Sequence, residues 1–236
     1  MAIGYNPRIV TDNLVFAVDA VNPKSNTGSS TFWSSLVSRA SGQGLQLSSG
    51  VSYNSTFNAY YFREQSAGNA NAYSSVGNGY TDFGTADFAI SIWCYMSGVS
   101  SESNWIFDLR SFDSVANLNN FNLIATSTTS YNIRFNTTNR ETFTASSSTW
   151  NNYVFSRISG DLYTYINGEY YDVAYGGDNA TSDQVMLGDN YGNQGSSAAN
   201  YGFTGYISNF MVYKGKGLTA AEIKQNFNAL RGRYGI

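Results

Sequence analysis

The loop from Leu187 to Gly195 carries the residue types that proteins use to hold sugars. An acid, several amides and one tyrosine stand there among glycines that let the backbone approach a ligand. Carboxylate and amide groups hydrogen-bond to sugar hydroxyls, and aromatic faces pack against the C–H surface of a pyranose ring. This loop therefore offers four candidate glycan-binding residues: Asp189, Asn190, Tyr191 and Asn193.

Two other loop-like segments offer similar chemistry. The first contains Asp178 and Asn179, and the second begins at Tyr73 and ends at Tyr80. Each of these loops has a simpler interpretation, because Asn, Asp and Gly are favoured in hairpin turns for their backbone geometry alone. The candidate ligand residues are therefore hypotheses about the rim of the molecule, and turn formation is their alternative.

The chain is unusually rich in tyrosine, with 19 residues of this type. Tyrosine offers rigid area and a hydroxyl, so a cluster could serve either as a stacking platform or as an interface with another protein. In a tight pair such as Tyr170-Tyr171 we expect one ring to face the core and the other to face solvent. Six tyrosines are candidates for such a cluster: Tyr60, Tyr61, Tyr163, Tyr165, Tyr170 and Tyr171.

Composition excludes several classes of function. The 236 residues contain no His and a single Cys, so a Ser-His-Asp triad, a Cys-His pair, an imidazole metal ligand and an internal disulfide are all ruled out. The chain has 13 Lys and Arg residues and a pI near 4.8, so its composition predicts no binding to nucleic acid. It has no apolar run long enough for membrane insertion and no visible signal peptide.

Short alternating segments between Gly, Asn and Ser predict antiparallel strands through most of the chain. In Phe88–Met96 both alternating faces carry bulky residues, which is typical of a central strand in a two-sheet sandwich. Asn152–Ile158, Leu162–Ile166 and Glu169–Ala174 predict consecutive hairpins, and Asn167-Gly168 is a strong signal for a type I′ turn. Weaker candidates are Leu14–Val18, Ala59–Arg63, Trp105–Leu109, Phe121–Ala125, Tyr131–Phe135, Gln184–Leu187 and Tyr206–Tyr213.

The C-terminus predicts the one helix of the chain, over residues 219–231. Thr219 and Glu222 have the spacing of a capping box. Apolar residues follow at Ile223, Phe227 and Leu230, which places one stripe against the sandwich, and Gly232 is a plausible C-cap. We also expect the four tryptophans and Cys94 to lie in the core: Trp33, Trp93, Trp105 and Trp150.

Four motifs, in order along residues 88–230, resemble laminin-G-like, concanavalin A-like domains. They are Phe88–Trp93, Trp150–Arg157, Leu162–Gly168 and Phe203–Tyr213, and a helix that begins near Leu218 follows them as in that family. The resemblance implies an all-β fold, an antiparallel two-sheet jelly-roll sandwich with a short C-terminal helix. We expect one domain over residues 1–236.

The two ends of the chain resemble a more specific group of proteins within this family. Residues 4–16 and 226–236 look like the termini of laminin-G-like structural proteins of tailed phages, of the marine cyanophage type. This resemblance implies a non-enzymatic virion surface protein, on the capsid or the tail, that is made in the host cytoplasm. Its implied partners are other virion proteins, further copies of itself and host glycans.

Departures from the family bear on metals and on catalysis. Ser208 and the segment Arg63–Gln65 stand where some relatives have acids that contribute to calcium sites, so no cofactor is expected and calcium stays open. Glu169 and Asp172 come nearest to the paired acids of glucanase relatives, but residues three apart on a strand point to opposite faces. We therefore expect no enzyme activity.

Alternatives remain open for function and for the N-terminus. A secreted or cell-surface lectin, and a glycoside hydrolase of the same fold, are the rivals of the virion protein. Residues 1–13 form a leader that either lies along the sandwich or acts as an arm docking on a neighbouring subunit.

Overall fold

The computed structural model describes residues 7–37, 43–63, 71–74, 79–99, 104–110, 120–135, 138–177, 180–182, 184–189 and 202–236. Within them the strands are β1 Leu14–Asp19, β2 Phe32–Ser34, β3 Gly44–Leu47, β4 Ser52–Asn54, β5 Ala59–Phe62, β6 Ala72–Tyr73, β7 Asp82–Gly84, β8 Phe88–Gly98, β9 Asn104–Arg110, β10 Phe121–Ala125, β11 Ser130–Phe135, β12 Thr138–Thr144, β13 Trp150–Ile158, β14 Asp161–Ile166, β15 Glu169–Tyr175, β16 Ala180–Thr181, β17 Gln184–Leu187 and β18 Thr204–Lys214. One helix, α1 Ala220–Leu230, follows and leads into a 3₁₀ turn at Arg231–Arg233.

Two eight-stranded antiparallel sheets form a sandwich, as predicted. Sheet A has the order β15-β14-β13-β8-β18-β5-β4, with β1 also paired to β18. Sheet B has the order β12-β11-β10-β9-β17-β6-β3-β2, and β7 pairs with β16 in a small third sheet. The all-β prediction, with a jelly-roll sandwich and a short C-terminal helix, is confirmed.

Strand β8 is central in sheet A and buries both of its faces. Phe88, Ile90 and Ile92 belong to the core between the sheets, whereas Ala89 and Trp93 pack on the outer face beneath α1. This is the alternation predicted from the sequence, and it requires a second layer on the outer face of sheet A. That layer is α1 together with the leader.

The hairpin β14–β15 turns as its sequence requires. Asn167 and Gly168 have φ of 54° and 77°, as a type I′ turn needs. A Cβ on Gly168 would lie 2.8 Å from Cγ of Phe227, so glycine also allows α1 to pack on this turn.

Helix α1 begins at the predicted cap. The Glu222 backbone N–H donates to Thr219 Oγ1 at 3.3 Å, and the Thr219 N–H donates to Glu222 Oε2 at 2.9 Å, which completes the capping box. Ile223, Phe227 and Leu230 are buried on sheet A, as predicted. The Gly232 C-cap prediction is wrong, because the chain continues past Leu230 as a 3₁₀ turn that includes Gly232. No helix in the described part of the chain has the length and apolar character of a membrane span.

The described part of the leader lies along the sandwich. The Val10 N–H donates to Asn226 Oδ1 at 2.7 Å, and the Tyr213 hydroxyl donates to the Val10 carbonyl at 2.9 Å. Gln225 Nε2 donates to the Arg8 carbonyl at 2.6 Å. Residues 8–10 are therefore fastened to α1 and β18.

The Arg157 side chain lies inside one end of the sandwich and binds backbone carbonyls there. Its side chain is buried, and it donates to the carbonyls of Ala86, Gly176 and Gly84 at 2.9, 3.1 and 2.8 Å. Its guanidinium also lies 4.6 Å from the ring centroid of Phe88. The arginine of the family-like motif is thus a bridge between loop carbonyls.

The prediction for the tyrosine pair on β15 is wrong. Tyr170 and Tyr171 are both exposed, at 55% and 41%, because β15 is an edge strand and a bulge leaves Tyr171 without a register partner on β14. Asn151 and Asn152 of the neighbouring family-like motif on β13 are both buried. Asn152 Nδ2 donates to Ser91 Oγ at 3.1 Å inside sheet A.

Candidate functional site

Four aromatic side chains form a row across the outer face of sheet A. Tyr61 on β5 pairs in register with Tyr206 on β18, Tyr206 with Tyr95 on β8, and Tyr95 with Trp150 on β13. Strands lie about 4.8 Å apart, so the row spans about 14 Å. We call these four residues the outer aromatic row.

Neighbouring rings of the row are in contact, and a fifth ring packs on the middle of the row. Consecutive ring centroids are 4.9, 5.9 and 5.9 Å apart along the row. Phe57, from the β4–β5 turn, stacks on Tyr206 with a centroid distance of 3.9 Å and an interplanar angle of 3°. It also lies 5.1 Å from Tyr95. All five rings are half-buried, so together they present an aromatic surface to solvent.

The row ends where α1 begins to cover the sheet. Tyr234 lies 4.7 Å from Trp150 and stacks on Trp93 at 4.1 Å between ring centroids. Phe227 stacks on Trp93 at 5.6 Å. Trp93 is therefore fully buried, while Trp150 keeps an open side. The core prediction holds for Trp33, Trp93 and Trp105, and it is wrong for Trp150, which is half-buried.

Polar residues stand at the ends of the strands that carry the row. Arg63 directly follows β5, two residues after Tyr61, and Thr204 is the first residue of β18, two residues before Tyr206. Ser97, two residues after Tyr95, is exposed and donates to the Thr204 carbonyl at 3.3 Å. A guanidinium and two hydroxyls thus belong to residues two positions along the chain from a ring of the row.

The Tyr206 hydroxyl at the middle of the row carries no charge at neutral pH. Burial raises the pKa of the Tyr206 hydroxyl, and the neighbouring Tyr61 and Tyr95 raise it further. The hydroxyl therefore stays protonated and can both donate and accept a hydrogen bond. This chemistry suits a ligand with C–H faces and hydroxyls.

The structure disagrees with two of the predicted glycan ligands. Tyr80 is 6% exposed and stacks on Phe16 in the core at 4.7 Å between centroids, so its ring has no face for a sugar. Asp189 is 1% exposed, and Asn71 Nδ2 donates to its Oδ2 at 3.5 Å. Both side chains are buried and make contacts inside the molecule, so these two predictions are wrong for a surface site.

The remaining candidates divide into two groups. Tyr73, on β6, is half-buried and pairs with Met186 and Gln46, on sheet B and away from the aromatic row. The other five lie outside the described residues: Asp178, Asn179, Asn190, Tyr191 and Asn193.

Acidic side chains are the second candidate chemistry of this chain. Glu169 forms an ion pair with Lys224 of α1. Glu141, which the sequence reasoning missed, is buried and accepts a hydrogen bond from Thr164 of the opposite sheet. Burial raises the pKa of Glu141, and the nearby Asp172 adds to this effect. In the described ranges no three Asp, Glu, Cys or His side chains gather closely enough to hold a metal ion.

One of the six candidate tyrosines belongs to the row. Tyr61 is a member, whereas Tyr60 and Tyr165 are buried. The other members were not predicted as a site, because the four strands that carry them lie far apart in the sequence. An alternation count on β8 or β18 could have flagged Tyr95 and Tyr206 as outward-facing, but only the strand register brings them together.

Comparisons with known proteins agree with this fold. The family model described as the concanavalin A-like lectin/glucanases superfamily matches residues 67–224, which is more than half of the chain. A comparison with curated protein sequences gives no match.

Solved structures of similar fold include both binding domains and enzymes. A botulinum neurotoxin type C structure, described with two ganglioside molecules, has a TM-score of 0.66 and 16% identity over 92% of this chain and 51% of its own. The binding domain of botulinum neurotoxin DC in complex with SialylT has a TM-score of 0.66 and 16% identity, over 94% and 52%. The sialidase of Trypanosoma rangeli with sialic acid has a TM-score of 0.68 and 12% identity, over 95% and 34%. The chain thus spans about half of the toxin domains and about a third of the sialidase.

Proposed function

The chain belongs to the concanavalin A-like lectin/glucanase superfamily, and we propose that it is a non-enzymatic module that binds glycans on the outer aromatic row. The observation that carries this proposal is the register of Tyr61, Tyr206, Tyr95 and Trp150 across four neighbouring strands. A core needs no half-exposed rings on its outer surface, whereas a sugar needs such a surface with hydroxyls beside it.

Features around the row support this proposal. Arg63, Thr204 and Ser97 are each two positions along the chain from a ring of the row, and we expect their polar groups to hydrogen-bond to the hydroxyls of a bound sugar. Structures of similar fold include toxin binding domains described with a ganglioside or SialylT and a sialidase described with sialic acid. A glycan is therefore the class of ligand that we expect.

A glycan array tests the proposal directly. The wild-type protein should bind at least one glycan family, and Tyr61→Ala should reduce that binding because it removes the terminal ring of the row. Tyr61→Phe is the matched control, since it keeps the ring and removes only the hydroxyl. Silence of the wild type on the whole array would contradict glycan binding, and binding that survives both Tyr61→Ala and Phe57→Ala would contradict the site.

The absence of catalysis is part of the proposal and has its own test. The chain lacks His, and the Glu169 carboxylate is engaged with Lys224. A retaining glycosidase needs two carboxyl groups about 5–5.5 Å apart across one bond. We expect no released sugar when the protein is incubated with laminarin or with sialyl-lactose. Steady release, lost in Glu141→Gln or Asp172→Asn, would favour the hydrolase instead.

We further propose that the protein is displayed on the surface of a phage particle, as a capsid decoration or tail-associated protein, and that it forms a homo-oligomer. The support is the resemblance of residues 4–16 and 226–236 to the termini of phage proteins. Mass spectrometry of purified particles should detect the chain. Its absence there would favour a secreted or cell-surface lectin, and light scattering of the purified protein would measure its oligomeric state.

The leader provides a further test of the virion role. If residues 1–12 act as an arm that docks on a neighbouring subunit, their deletion should prevent incorporation into particles. Unchanged incorporation of the deleted chain would contradict the arm, and the leader would then serve this chain alone.

A further inference from the structure

A cavity lies on the same outer face of sheet A, away from the row. It has a volume of about 470 Å³, within the usual range for ligand sites of about 300–1,000 Å³. The leader, the outer face of β1 and β18, and the end of α1 enclose it. The lining residues that matter for a ligand are Arg8, Leu36, Asn209, Met211, Leu230 and Arg233.

The walls of this cavity are fixed by hydrogen bonds. Val10 donates to Asn226 Oδ1 at 2.7 Å, and Tyr213 donates to the Val10 carbonyl at 2.9 Å, so the leader cannot close on the sheet without losing both bonds. Gln225 holds the Arg8 carbonyl from the helix side at 2.6 Å. The opening is therefore built into the fold.

One wall of the cavity contains the Asn209 side chain, whose amide oxygen accepts no hydrogen bond from the described residues. Asn209 is 3% exposed, and none of the described residues donates a hydrogen bond to its buried Oδ1. A buried acceptor without a donor is unfavourable, and a well-placed hydroxyl or N–H group would satisfy it. Asn209 lines the cavity, but its Oδ1 is closed to solvent in this structure, so a ligand donor would reach it only after a small rotation of the amide.

The charges around the cavity favour an anion. Arg233 Nη1 donates to Asp19 Oδ2 at 2.6 Å, and the Val21 N–H donates to Asp19 Oδ1 at 2.9 Å, so Asp19 is already neutralised. Arg8 is exposed, and no described residue forms a hydrogen bond or an ion pair with its guanidinium. The positive charge of Arg8 is therefore not balanced by any described side chain, and a guanidinium pairs well with a carboxylate.

We propose that this cavity binds an acidic sugar unit. Its carboxylate would pair with Arg8, a ring hydroxyl would donate to Asn209 Oδ1, and the C–H faces would pack against Leu36, Met211 and Leu230. None of the residues that line the cavity belongs to the outer aromatic row. The cavity is thus a site of its own, and its ligand does not depend on the row.

Two methyl glycosides that differ only at C6 test this site. Titration calorimetry of the full chain should give saturable binding of methyl β-D-glucuronide and at least about tenfold weaker binding of methyl β-D-glucoside, because a charge-assisted hydrogen bond is lost. Arg8→Gln should weaken glucuronide binding by a similar factor. Lys24→Gln is the matched control: it removes a surface cation that does not line the cavity, and it should leave binding unchanged.

Asn209→Leu separates a ligand role from a structural one. The change keeps the approximate size of the side chain, so it should weaken glucuronide binding without lowering the melting temperature. Equal binding of the two glycosides, no binding of either, or equal effects of Arg8→Gln and Lys24→Gln would overturn the proposal. Tyr61→Ala should leave glucuronide binding in this cavity intact, so failure here and failure of the aromatic row are distinguishable.

Discussion

The outer face of sheet A has a covered half and an open half, built from the same kind of side chain. In the covered half Trp93 lies beneath Phe227 and Tyr234 and is fully buried. In the open half Tyr61 and Tyr206 occupy equivalent outward positions and stay half-exposed. Aromatic content alone therefore says nothing about role: the layer above the ring decides whether it stabilises the fold or remains available to a ligand.

Trp93→Ala should have the largest effect on stability. Removing a buried tryptophan leaves a cavity beneath α1 and should lower the free energy of unfolding by about 3–5 kcal/mol. Urea denaturation followed by circular dichroism measures this loss. A change below about 1 kcal/mol would mean that α1 contributes little to the covered half, since substitutions without a packing role stay in that range.

Tyr61→Ala should behave in the opposite way. Tyr61 is the end of the row and contacts one described ring, Tyr206, so its removal should cost about 0.5–1.5 kcal/mol of stability. Glycan affinity should fall at least about tenfold, equivalent to about 1.4 kcal/mol. Parallel denaturation and binding measurements on Tyr61→Ala and Trp93→Ala would show whether stability and recognition are divided between the two halves; equal losses of stability would contradict that division.

The cap of α1 should contribute less than the tryptophan that the helix covers. Thr219→Ala removes the side-chain acceptor for the Glu222 N–H and should lower the free energy of unfolding by about 1 kcal/mol. Thr219→Ser keeps the acceptor and is the matched control. If both variants lose the same stability, the hydroxyl is not the stabilising group.

A small pH-dependent effect should arise at the same cap. Partial burial would raise the pKa of Glu222, but hydrogen bonds from Lys216 and Thr219 outweigh it and lower the pKa overall. The folded state therefore holds the charged carboxylate better than the unfolded state, so this stabilisation is present above the unfolded pKa and is lost as pH falls through the folded one. Glu222→Gln should melt lower than wild type at pH 7, and the difference should disappear in acid; a difference that persists unchanged in acid would contradict the role of the charge.

Local features were predictable from the sequence, whereas features set by distant pairing were not. The Asn167-Gly168 turn and the Thr219–Glu222 cap need only neighbouring residues, and both form as predicted. Strand β12, with the sequence TNRETFT, was missed because only Glu141 and Phe143 of this strand are buried among the residues whose burial is described, and its edge position tolerates polar residues.

The candidate site shows the same limit. Loop composition pointed to Asp189 and Tyr80, but a polar or aromatic residue in a loop can turn inward, and both did. The row depends on pairings such as Tyr206 with Tyr95, between strands more than a hundred residues apart, and no local pattern encodes that register. Periodicity identified outward positions, and only the folded sheet identified their neighbours.

Strand β18 occupies the middle of sheet A, between β8 and β5, yet it is the last strand of the chain. Sheet A therefore cannot be completed during synthesis until residues 204–214 leave the ribosome. Until then the edge of β8 that pairs with β18 has no partner strand, and its apolar residues stay exposed. Folding is consequently dominated by non-local pairing, which is slow and exposes the chain to aggregation. A ribosome that stops before residue 204 would release a fragment with no route to a closed sandwich.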